Sequence, residues 1–336
     1  MAVTFREVVS STQWDEHMLR WAPGALFQSW SWGEVVRALG SSLWRIGIFE
    51  GDRMIGGMQI AKITARRGPF LHVRHGPVLE KATPVLWRTI TAYLKTRAKE
   101  ENAWFVRVSP QLEDTGTHTA LFGSLGYRSA PIHAMDAEQC WVVDLAPSPD
   151  ELLLHMRKTT RYEIRQAEKL GVQVRMSTDQ KDIKEFLELY TKTATRQKFV
   201  PHQGITEEFR AFAPTGRALL FLGYHEKKLL SGALILFVGN QAIYHHGASV
   251  YSKVPVSVYV QWKAMLEAKK RGAALYNFWG VAPENKPKHP WWGFSQFKKG
   301  FGGREMGFLH TQDLPTSPLY VFPWVVETIR RITRGY

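Results

Sequence analysis

Two parts of this 336-residue chain repeat one order of predicted elements, and this repetition restricts the possible folds more than any other feature. Each part begins with a strand, a tight turn and a second strand, at residues 47–58 and again at residues 223–233. A further strand, a basic amphipathic helix and a last strand follow, at 70–79, 85–99 and 104–109 in the first part and at 242–248, 258–271 and 275–279 in the second. The shared order of five elements predicts two duplicated α/β domains.

The boundary between the two domains is predicted near Pro147. Residues 148–151 have the pattern of a capping box with proline at the first helical position, and the helical segments that start there should end at Leu170, before Gly171. A linker at 313–318 precedes a final amphipathic helix from about residue 322 to 334. This helix could touch a membrane, but its short length favours packing of its apolar face onto the body of the protein. That face would consist of Trp324, Val325, Thr328, Ile329 and Ile332.

The chain is strongly basic, which favours a polyanionic partner. Its net charge of +14 suits nucleic acid, nucleotide phosphates or an anionic membrane surface, although such a charge can also serve solubility alone. The single cysteine, Cys140, lies in a predicted strand and excludes an intramolecular disulfide. The N-terminus lacks the apolar core of a signal peptide, and no apolar run approaches the ~20 residues that span a bilayer. These features predict a cytoplasmic protein that can visit the inner face of the cell membrane.

Residues 276–281 and 289–303 are dense in Trp, Phe, Gly and Lys, a mixture that neither a packed core nor a solvated loop requires. Rings supply flat contact surface, glycines allow close backbone approach and lysines supply positive charge. The two segments therefore suit a site for a large anionic substrate, with an aromatic-rich loop packed between the domains as the alternative interpretation.

Four basic residues recur at spacings of three, four and four in a predicted helix, which places them on one helix face. Such a stripe would face phosphate or RNA, or simply solvent. It consists of Lys158, Arg161, Arg165 and Lys169.

The spacing of the histidines predicts no metal site. His72 and His75 are three apart in a predicted strand, and His245 and His246 are adjacent in another, so each pair should point to opposite faces. No Cys/His spacing matches a zinc motif, and the sequence contains neither a phosphate-binding P-loop motif nor a GxSxG nucleophile elbow.

Five stretches resemble the FemABX family of aminoacyl-tRNA-dependent peptidyltransferases, in the family's order: residues 27–33, 74–79, 158–172, 276–281 and 289–303. The chain is most similar to the shorter, FemX-type members, because it has no room for the helical arm of the longer ones. The resemblance implies an α/β (α+β) fold of two tandem N-acetyltransferase-like (GNAT) domains, each a mixed, mostly antiparallel sheet flanked by helices. It also implies that residues 1–147, completed by 313–336, form domain 1 and that residues 148–312 form domain 2.

The activity that this resemblance implies is formation of a peptide bond. An amino acid (Ala, Ser or Gly) would move from aminoacyl-tRNA to the stem-peptide lysine of a UDP-linked muropeptide or its lipid-linked form, with no cofactor and no metal. Because the ester is already activated, the enzyme must hold two anionic substrates, let the acceptor ammonium lose a proton and stabilise the oxyanion.

The resemblance further implies roles for individual residues. Lys298, beside Phe297, matches the lysine that supports the acyl-transfer centre, where as a cation it would stabilise the oxyanion or the leaving ribose. Asn277 stands where many members have Asp, so the general base is left unassigned. Substrate binding is expected of Arg37, Arg196, Tyr244, Tyr251 and Trp279, and tRNA binding of Lys158, Arg161, Arg165 and Lys299.

Two other functions stay open. A tandem acyltransferase could use another donor, such as acyl-coenzyme A, on a different amine. GNAT domains bind the pyrophosphate of coenzyme A through a motif of Gln or Arg followed by x-x-Gly-x-Gly/Ala. The best match in this chain, residues 297–302, has Phe297 at the first position. The lack of a full motif argues against coenzyme A as the donor. A non-enzymatic RNA-binding module would use the same basic and aromatic surface.

Overall fold

The computed structural model describes residues 2–134 and 136–334. The chain forms two units from interleaved segments. The first unit contains the chain up to residue 139, residues 282–292 and the chain from residue 306, and the second contains residues 140–281 and 293–305. Each unit has one β-sheet with helices packed against it, which confirms the predicted α/β class and the duplicated arrangement.

The chain up to residue 129 supplies most of the first unit. Its hairpin of β2 and β3 and its parallel pair of β4 and β6 confirm the predicted elements. The strand predicted at 70–79 is interrupted, because Pro77 has no N–H to donate to a ladder, and the chain resumes as β5 against β3. In chain order the elements are β1 (Val3–Glu7), α1 (Ser11–Trp21), α2 (Trp30–Ala38), β2 (Leu43–Glu50), β3 (Arg53–Ala65), β4 (Gly68–Arg74), β5 (Val78–Leu79), α3 (Pro84–Glu100), β6 (Phe105–Ser109), α4 (Gly116–Ser124) and β7 (Arg128–Ser129).

Residues 139–307 contain the second sheet. Strands β9 to β12 form an antiparallel meander, and β13 pairs in parallel with β12 and antiparallel with β8, in the sheet order β14-β8-β13-β12-β11-β10-β9. The elements are β8 (Gln139–Asp144), α5 (Pro149–His155), α6 (Lys158–Lys169), β9 (Gln173–Ser177), α7 (Asp182–Gln197), α8 (Ile205–Phe212), β10 (Ala218–His225), β11 (Lys228–Val238), β12 (Gln241–Ser249), α9 (Val256–Lys270), β13 (Leu275–Gly280), α10 (Trp292–Lys299) and β14 (Arg304–Gly307).

The start of the second unit differs from the boundary that the sequence suggests. The capping box forms as predicted, since Ser148 and Glu151 bond reciprocally at the start of α5, and Gly171 follows α6 with a positive φ. The unit nevertheless begins at Cys140 rather than after residue 147, because β8 hydrogen-bonds to β13 in the second sheet. The backbone at Met156 is extended, which separates α5 from α6.

The end of the chain returns to the first unit as β15 (Gln312–Pro315) and α11 (Val321–Thr333). Strand β15 lies between β6 and β7, inside the sheet order β1-β2-β3-β4-β6-β15-β7. Arg107 of β6 donates to both carboxylate oxygens of Asp313 at 2.7 Å and to Glu327 of α11 at 2.6 Å, and all three side chains are buried. This ion network connects the last helix to the first sheet.

The prediction that the apolar face of α11 packs onto the body is wrong. The buried side chains of this helix are Pro323 and Glu327, so the helix is attached through its carboxylate. The apolar side chains are 36% to 70% exposed: Val321, Phe322, Trp324, Val325, Val326, Ile329 and Ile332. Among the helices that the structure describes, none is both long and apolar enough to cross a bilayer.

Candidate active site

The parallel strands β12 and β13 stop pairing before they end. Their ladder covers only residues 241–243 opposite 275–277. Beyond it, β12 has a β-bulge, and Trp279 near the end of β13 has a φ of 67° with its N–H donating to Asn277 Oδ1 at 2.8 Å. Bulges and positive φ values in non-glycine residues are enriched beside functional sites. The carboxyl ends of these two strands are therefore a candidate functional site.

Lys298 at the end of α10 is buried next to this strand end. Its side-chain Nζ donates to the carbonyl of Gly280 at 2.5 Å and lies 4.0 Å from the centroid of the Phe294 ring. Burial lowers the pKa of Lys298 to about 7, with Cys140 acting in the opposite direction. The lowered pKa allows the amine to lose its proton much more readily than an exposed lysine, whereas the family resemblance implies that it acts as a cation.

Two glycines fix the chain that follows Lys298. Gly302 and Gly303 have φ values of 78° and 91°, a region that side chains disfavour. A Cβ atom at Gly303 would lie 2.2 Å from the carbonyl oxygen of Val142, and the Gly302 carbonyl accepts from Trp141 Nε1 at 2.6 Å. The tight turn holds the end of α10 against β8, and so positions Lys298.

Phe297 lies at the wall of a pocket of about 230 Å³. Its ring packs on Phe301 at 5.4 Å, and the rest of the wall includes Leu230, Val256 and Glu163 from α6. Partial burial raises the pKa of Glu163, which Arg157 partly offsets. Glu163 was missed as a functional candidate, because in the sequence it is only a counter-charge within a basic helix.

Tyr244, Trp279 and Asn277 surround the strand ends from inside the second unit. Tyr244 is buried with its ring 6.3 Å from Phe278, and burial raises the pKa of its phenol, which keeps the hydroxyl neutral. Asn277 donates to Gln241 Oε1 at 3.1 Å in addition to accepting from Trp279. An amide can do both, whereas a carboxylate only accepts; Asn277 therefore has a positioning role that Asp could not fill.

The residues expected to bind phosphate lie in different units. Arg196, at the end of α7, donates to the hydroxyl of Ser249 at 3.2 Å, and Tyr251 follows that strand end with 82% of its surface exposed. The structure thus brings Arg196 to the end of β12 in the second unit. Arg37 lies on α2 of the first unit, exposed and 3.4 Å from Glu34.

Three of the four residues of the predicted basic stripe on α6 are exposed, and the fourth makes hydrogen bonds within the protein. Lys158, Arg165 and Lys169 are exposed, as a face for RNA requires. Arg161 instead donates to the carbonyls of Leu154 and Met156 at 2.8 and 2.9 Å, where it caps the end of α5. Lys299 lies 5.0 Å above the ring of Trp141.

The prediction that His245 and His246 point to opposite faces is wrong. In the ladder with β11, His246 pairs with Leu234 and Tyr244 pairs with Ile235, so His245 is the extra residue of the bulge. Both imidazoles bond the same carboxylate oxygen of Glu208 on α8, His245 through Nδ1 at 2.9 Å and His246 through Nε2 at 2.8 Å. No sequence pattern announces this bulge.

Comparison with known proteins identifies related chains. A family model described as the FemAB family matches residues 127–204 and 221–326. The lipid II:glycine glycyltransferase of Staphylococcus epidermidis is 21% identical, with 88% of each chain aligned. The protein of the same name from Staphylococcus saprophyticus is 22% identical, over 83% of this chain and 85% of that one.

Solved structures share the fold. A crystal structure of FemX matches with a TM-score of 0.83 and 20% identity over 97% of this chain and all of that one. A tandem GNAT protein from the clavulanic acid biosynthesis pathway matches with a TM-score of 0.58 and 13% identity, over 94% of this chain and 99% of that one. L-PGS from Bacillus licheniformis matches with a TM-score of 0.59 and 13% identity, over 96% and 98%. These matches confirm the predicted tandem GNAT-like fold.

Proposed function

The chain belongs to the FemAB family, and we propose that it is an aminoacyltransferase that adds Ala, Ser or Gly from aminoacyl-tRNA to the stem-peptide lysine of a peptidoglycan precursor, forming an interpeptide bridge. The observation that carries the proposal is the buried amine of Lys298 at the end of β13, one residue along α10 from Phe297 in the pocket wall. Both residues lie within the part of the chain that the family model matches. The relatives named as lipid II:glycine glycyltransferases support the same class of reaction.

The proposed reaction removes two protons from the acceptor nitrogen and supplies one to the leaving oxygen. The acceptor ammonium loses its first proton, and the nitrogen then forms a bond to the ester carbonyl. The nitrogen loses its second proton as the ester C–O bond breaks and the ribose hydroxyl of the tRNA is released. Glu163 is the proposed base, since its raised pKa and its place in the pocket wall suit proton acceptance near neutral pH. Lys298 in its protonated form stabilises the oxyanion and supplies the proton to the leaving oxygen.

The charge of the chain supports a tRNA donor. Lys158, Arg165 and Lys169 present an exposed basic face on the helix that also carries Glu163 toward the pocket. Lys299 adjoins Lys298. We propose that this face holds the phosphates near the acceptor end of the tRNA, with the aminoacyl ester reaching the pocket.

The acceptor side of the proposal rests on the end of β12. Arg196 and Tyr251 lie at this strand end and would hold the diphosphate and the sugar-peptide portion of the precursor. Tyr244 of β12 and Trp279, whose ring packs against His245 of β12, are proposed to contact the same substrate. A role for Arg37 in diphosphate binding is proposed from the family resemblance alone. The exposed apolar face of α11 favours the lipid-linked precursor, and hence a place at the cytoplasmic face of the membrane.

Transfer assays test the proposal directly. Radiolabelled Ala, Ser or Gly on tRNA is offered with a UDP-linked muropeptide and, separately, with lipid-linked precursor. We expect one combination to react, and Lys298→Met to lower kcat/KM by roughly 100-fold or more. The matched control is Lys269→Met, because Lys269 also donates its amine to a backbone carbonyl, that of Leu145 at 2.7 Å, on the helix α9.

The assay also separates the competing functions. Transfer from acetyl-coenzyme A but not from any charged tRNA would contradict the proposal and favour another acyl donor. Tight tRNA binding without transfer to either precursor would favour an RNA-binding module. Equal loss of activity in the Lys298 and Lys269 variants would remove Lys298 from the proposed centre.

A further inference from the structure

A buried cluster of potential metal ligands lies outside the proposed transfer centre. The carboxylate of Glu208, Nδ1 of His245 and Nε2 of His246 all lie within 4.8 Å of one another. The side chains of Glu208, His245 and His246 are only 5%, 7% and 6% exposed. Three side chains from two elements, α8 and β12, thus direct one ligand atom each at a common point.

The backbone of β12 is shaped to create this convergence. Adjacent residues of a regular strand point to opposite faces. The bulge at His245 removes one residue from the ladder, so that both neighbouring imidazoles reach the same carboxylate oxygen. A single His–Glu pair would require no bulge, which makes the three-residue geometry the feature that needs an explanation.

The chemistry of the ligands selects a class of ion. Two imidazoles and one carboxylate are the donor set of many zinc and non-haem iron sites, whereas Mg²⁺ and Ca²⁺ prefer oxygen alone. Two neutral imidazoles and one carboxylate leave a net charge of −1 in a buried place, which a divalent cation reverses. Each ring would bind the ion through the nitrogen that now donates to Glu208, so on binding its proton would move to the other ring nitrogen.

A fourth group is close by. The ring centroid of His202, in the exposed loop before α8, lies 5.6 Å from that of His246. The ring of His245 packs edge-on against Trp279 at 5.2 Å, one residue before the Gly280 carbonyl that holds Lys298. An ion in the cluster would therefore connect α8 and the loop at His202 to the strand ends of the second sheet.

From this geometry we infer that Glu208, His245 and His246 bind a divalent transition-metal ion of the zinc class, with His202 as the fourth ligand. The inference does not rest on the proposed transferase activity, because ion binding can be measured without either substrate. The ion would stabilise the bulged strand end.

Titration of the chelator-treated full-length protein tests this inference. We expect one Co²⁺ to bind per chain and to produce the visible absorption of a tetrahedral nitrogen–oxygen site, and Zn²⁺ to displace it. Glu208→Gln keeps the size of the side chain but removes its charge, and we expect it to weaken Zn²⁺ binding by at least about 100-fold. His202→Gln should weaken binding less and change the Co²⁺ spectrum.

The control is a partly buried His–carboxylate pair, His310 and Glu138. His310 Nδ1 lies 2.6 Å from a carboxylate oxygen of Glu138 in the first unit. Among the residues that the structure describes, this pair is not part of a group of three potential metal ligands. His310→Gln should bind Co²⁺ as the wild type does. Circular dichroism verifies that each variant is folded. The inference fails if the wild type binds no Co²⁺, or if folded Glu208→Gln or His246→Gln binds Co²⁺ as tightly as the wild type.

Discussion

The buried amine of Lys298 shows how desolvation changes the pKa of a residue that the sequence identifies only as a candidate. The family resemblance identifies Lys298 as a candidate site residue. The sequence of residues 297–300 does not indicate that the Lys298 side chain is only 1% exposed. Its lowered pKa is a property of the packed second unit, because burial of the amine lowers the pKa and the Gly280 carbonyl beside it belongs to a distant segment of the chain. The identity of the residue was predictable, but its protonation was not.

This protonation has a measurable effect on stability. The pKa of Lys298 is about 7 in the folded protein and 10.5 as an ordinary lysine, so between these values the unfolded chain binds more protons. The free energy of unfolding from this group therefore rises with pH through that window. Lys298→Met removes the titration, and we expect the stability of the variant relative to the wild type to fall by about 2 kcal/mol between pH 7 and pH 9.

Urea denaturation of both proteins across this pH range gives the answer. Lys269→Met serves as the control, because Lys269 also bonds a backbone carbonyl but is only half-buried. A stability difference for Lys298→Met that stays constant from pH 7 to pH 9 would contradict a lowered pKa in the fold.

Glu163 should control the acidic side of the rate profile. Burial raises the pKa of this carboxyl, so the wild-type rate falls as the pH drops through that raised value and the base becomes protonated. Glu163→Gln should lower kcat by roughly 100-fold or more and abolish this acidic decline, while the decline at higher pH, assigned to Lys298, is kept. The pH dependence of kcat for transfer to the precursor measures both effects.

An exposed carboxylate on the same helix provides the comparison. Glu168→Gln removes the same charge from α6, and its rate profile should match that of the wild type. If Glu163→Gln retains the acidic decline, the base is another group.

His245 and Arg161 illustrate why the partners of individual side chains could not be predicted from the sequence. Strand alternation predicts opposite faces for neighbours, but the bulge at His245 breaks this rule, and His245 then bonds Glu208 of α8, a residue distant in sequence. Arg161 has the spacing of a surface stripe, yet it bonds two carbonyls at the end of α5. Periodicity reports which side of a helix a residue occupies, and it does not report what partner it finds there.

At the scale of elements, local signals predicted the hairpins and helix starts well. The turn between β10 and β11 is formed by Glu226 and Lys227, both with positive φ, and the capping box at Ser148 starts α5. The sequence instead indicates a linker at 313–318, where Asp313 and Pro315 are poor strand formers, although residues 312–315 form strand β15. Its place in the sheet depends on Arg107, a partner distant in sequence.

Helix α11 carries an element-scale prediction about membranes. Its exposed apolar side chains include Phe322 near the start of the helix and Ile329 and Ile332 near its end, where Arg330 and Arg331 also lie. A basic amphipathic helix with such a face binds at the surface of anionic bilayers. We expect the protein to co-sediment with vesicles containing anionic phosphatidylglycerol, and the double variant Ile329→Ser/Ile332→Ser to weaken that binding by roughly 10-fold or more.

The controls separate the two contributions to membrane binding. Leu39→Ser removes a different exposed apolar side chain, on the first unit, and should leave vesicle binding unchanged. Arg330→Gln with Arg331→Gln should weaken binding to anionic vesicles at low salt and leave binding to neutral vesicles as it was. Vesicle binding that is insensitive to all of these changes would place the contact elsewhere on the protein.

For the whole molecule, the two-part repeat in the sequence does not describe the path of the chain, because each unit is assembled from separate segments. The first unit is assembled from the chain up to residue 139, residues 282–292 and the chain from residue 306. Its sheet has β15 as an internal strand, bonded to β6 on one side and β7 on the other. The domain boundaries that the family resemblance implies complete the first domain with residues 313–336 and assign residues 282–292 to the second.

This path makes a prediction about folding. A chain that ends at residue 305 lacks both Asp313 and Glu327, which leaves Arg107 buried beside Phe70 and Phe105 with no counter-charge. Breaking a buried ion pair by removing one partner costs about 3–5 kcal/mol, and here both partners and a central strand are lost. We expect the amide protons of β6 to lose their protection against hydrogen exchange.

Two comparisons locate the cause of that loss. A chain that ends at residue 318 keeps β15 and Asp313 but lacks α11, so its β6 amides should show intermediate protection. Adding a separate peptide of residues 306–336 to the chain that ends at residue 305 should restore protection, since β15 can pair without a covalent link. Full protection of β6 in the shortest chain would mean that the first unit folds without its last segment, and that the buried Arg107 finds its counter-charge elsewhere.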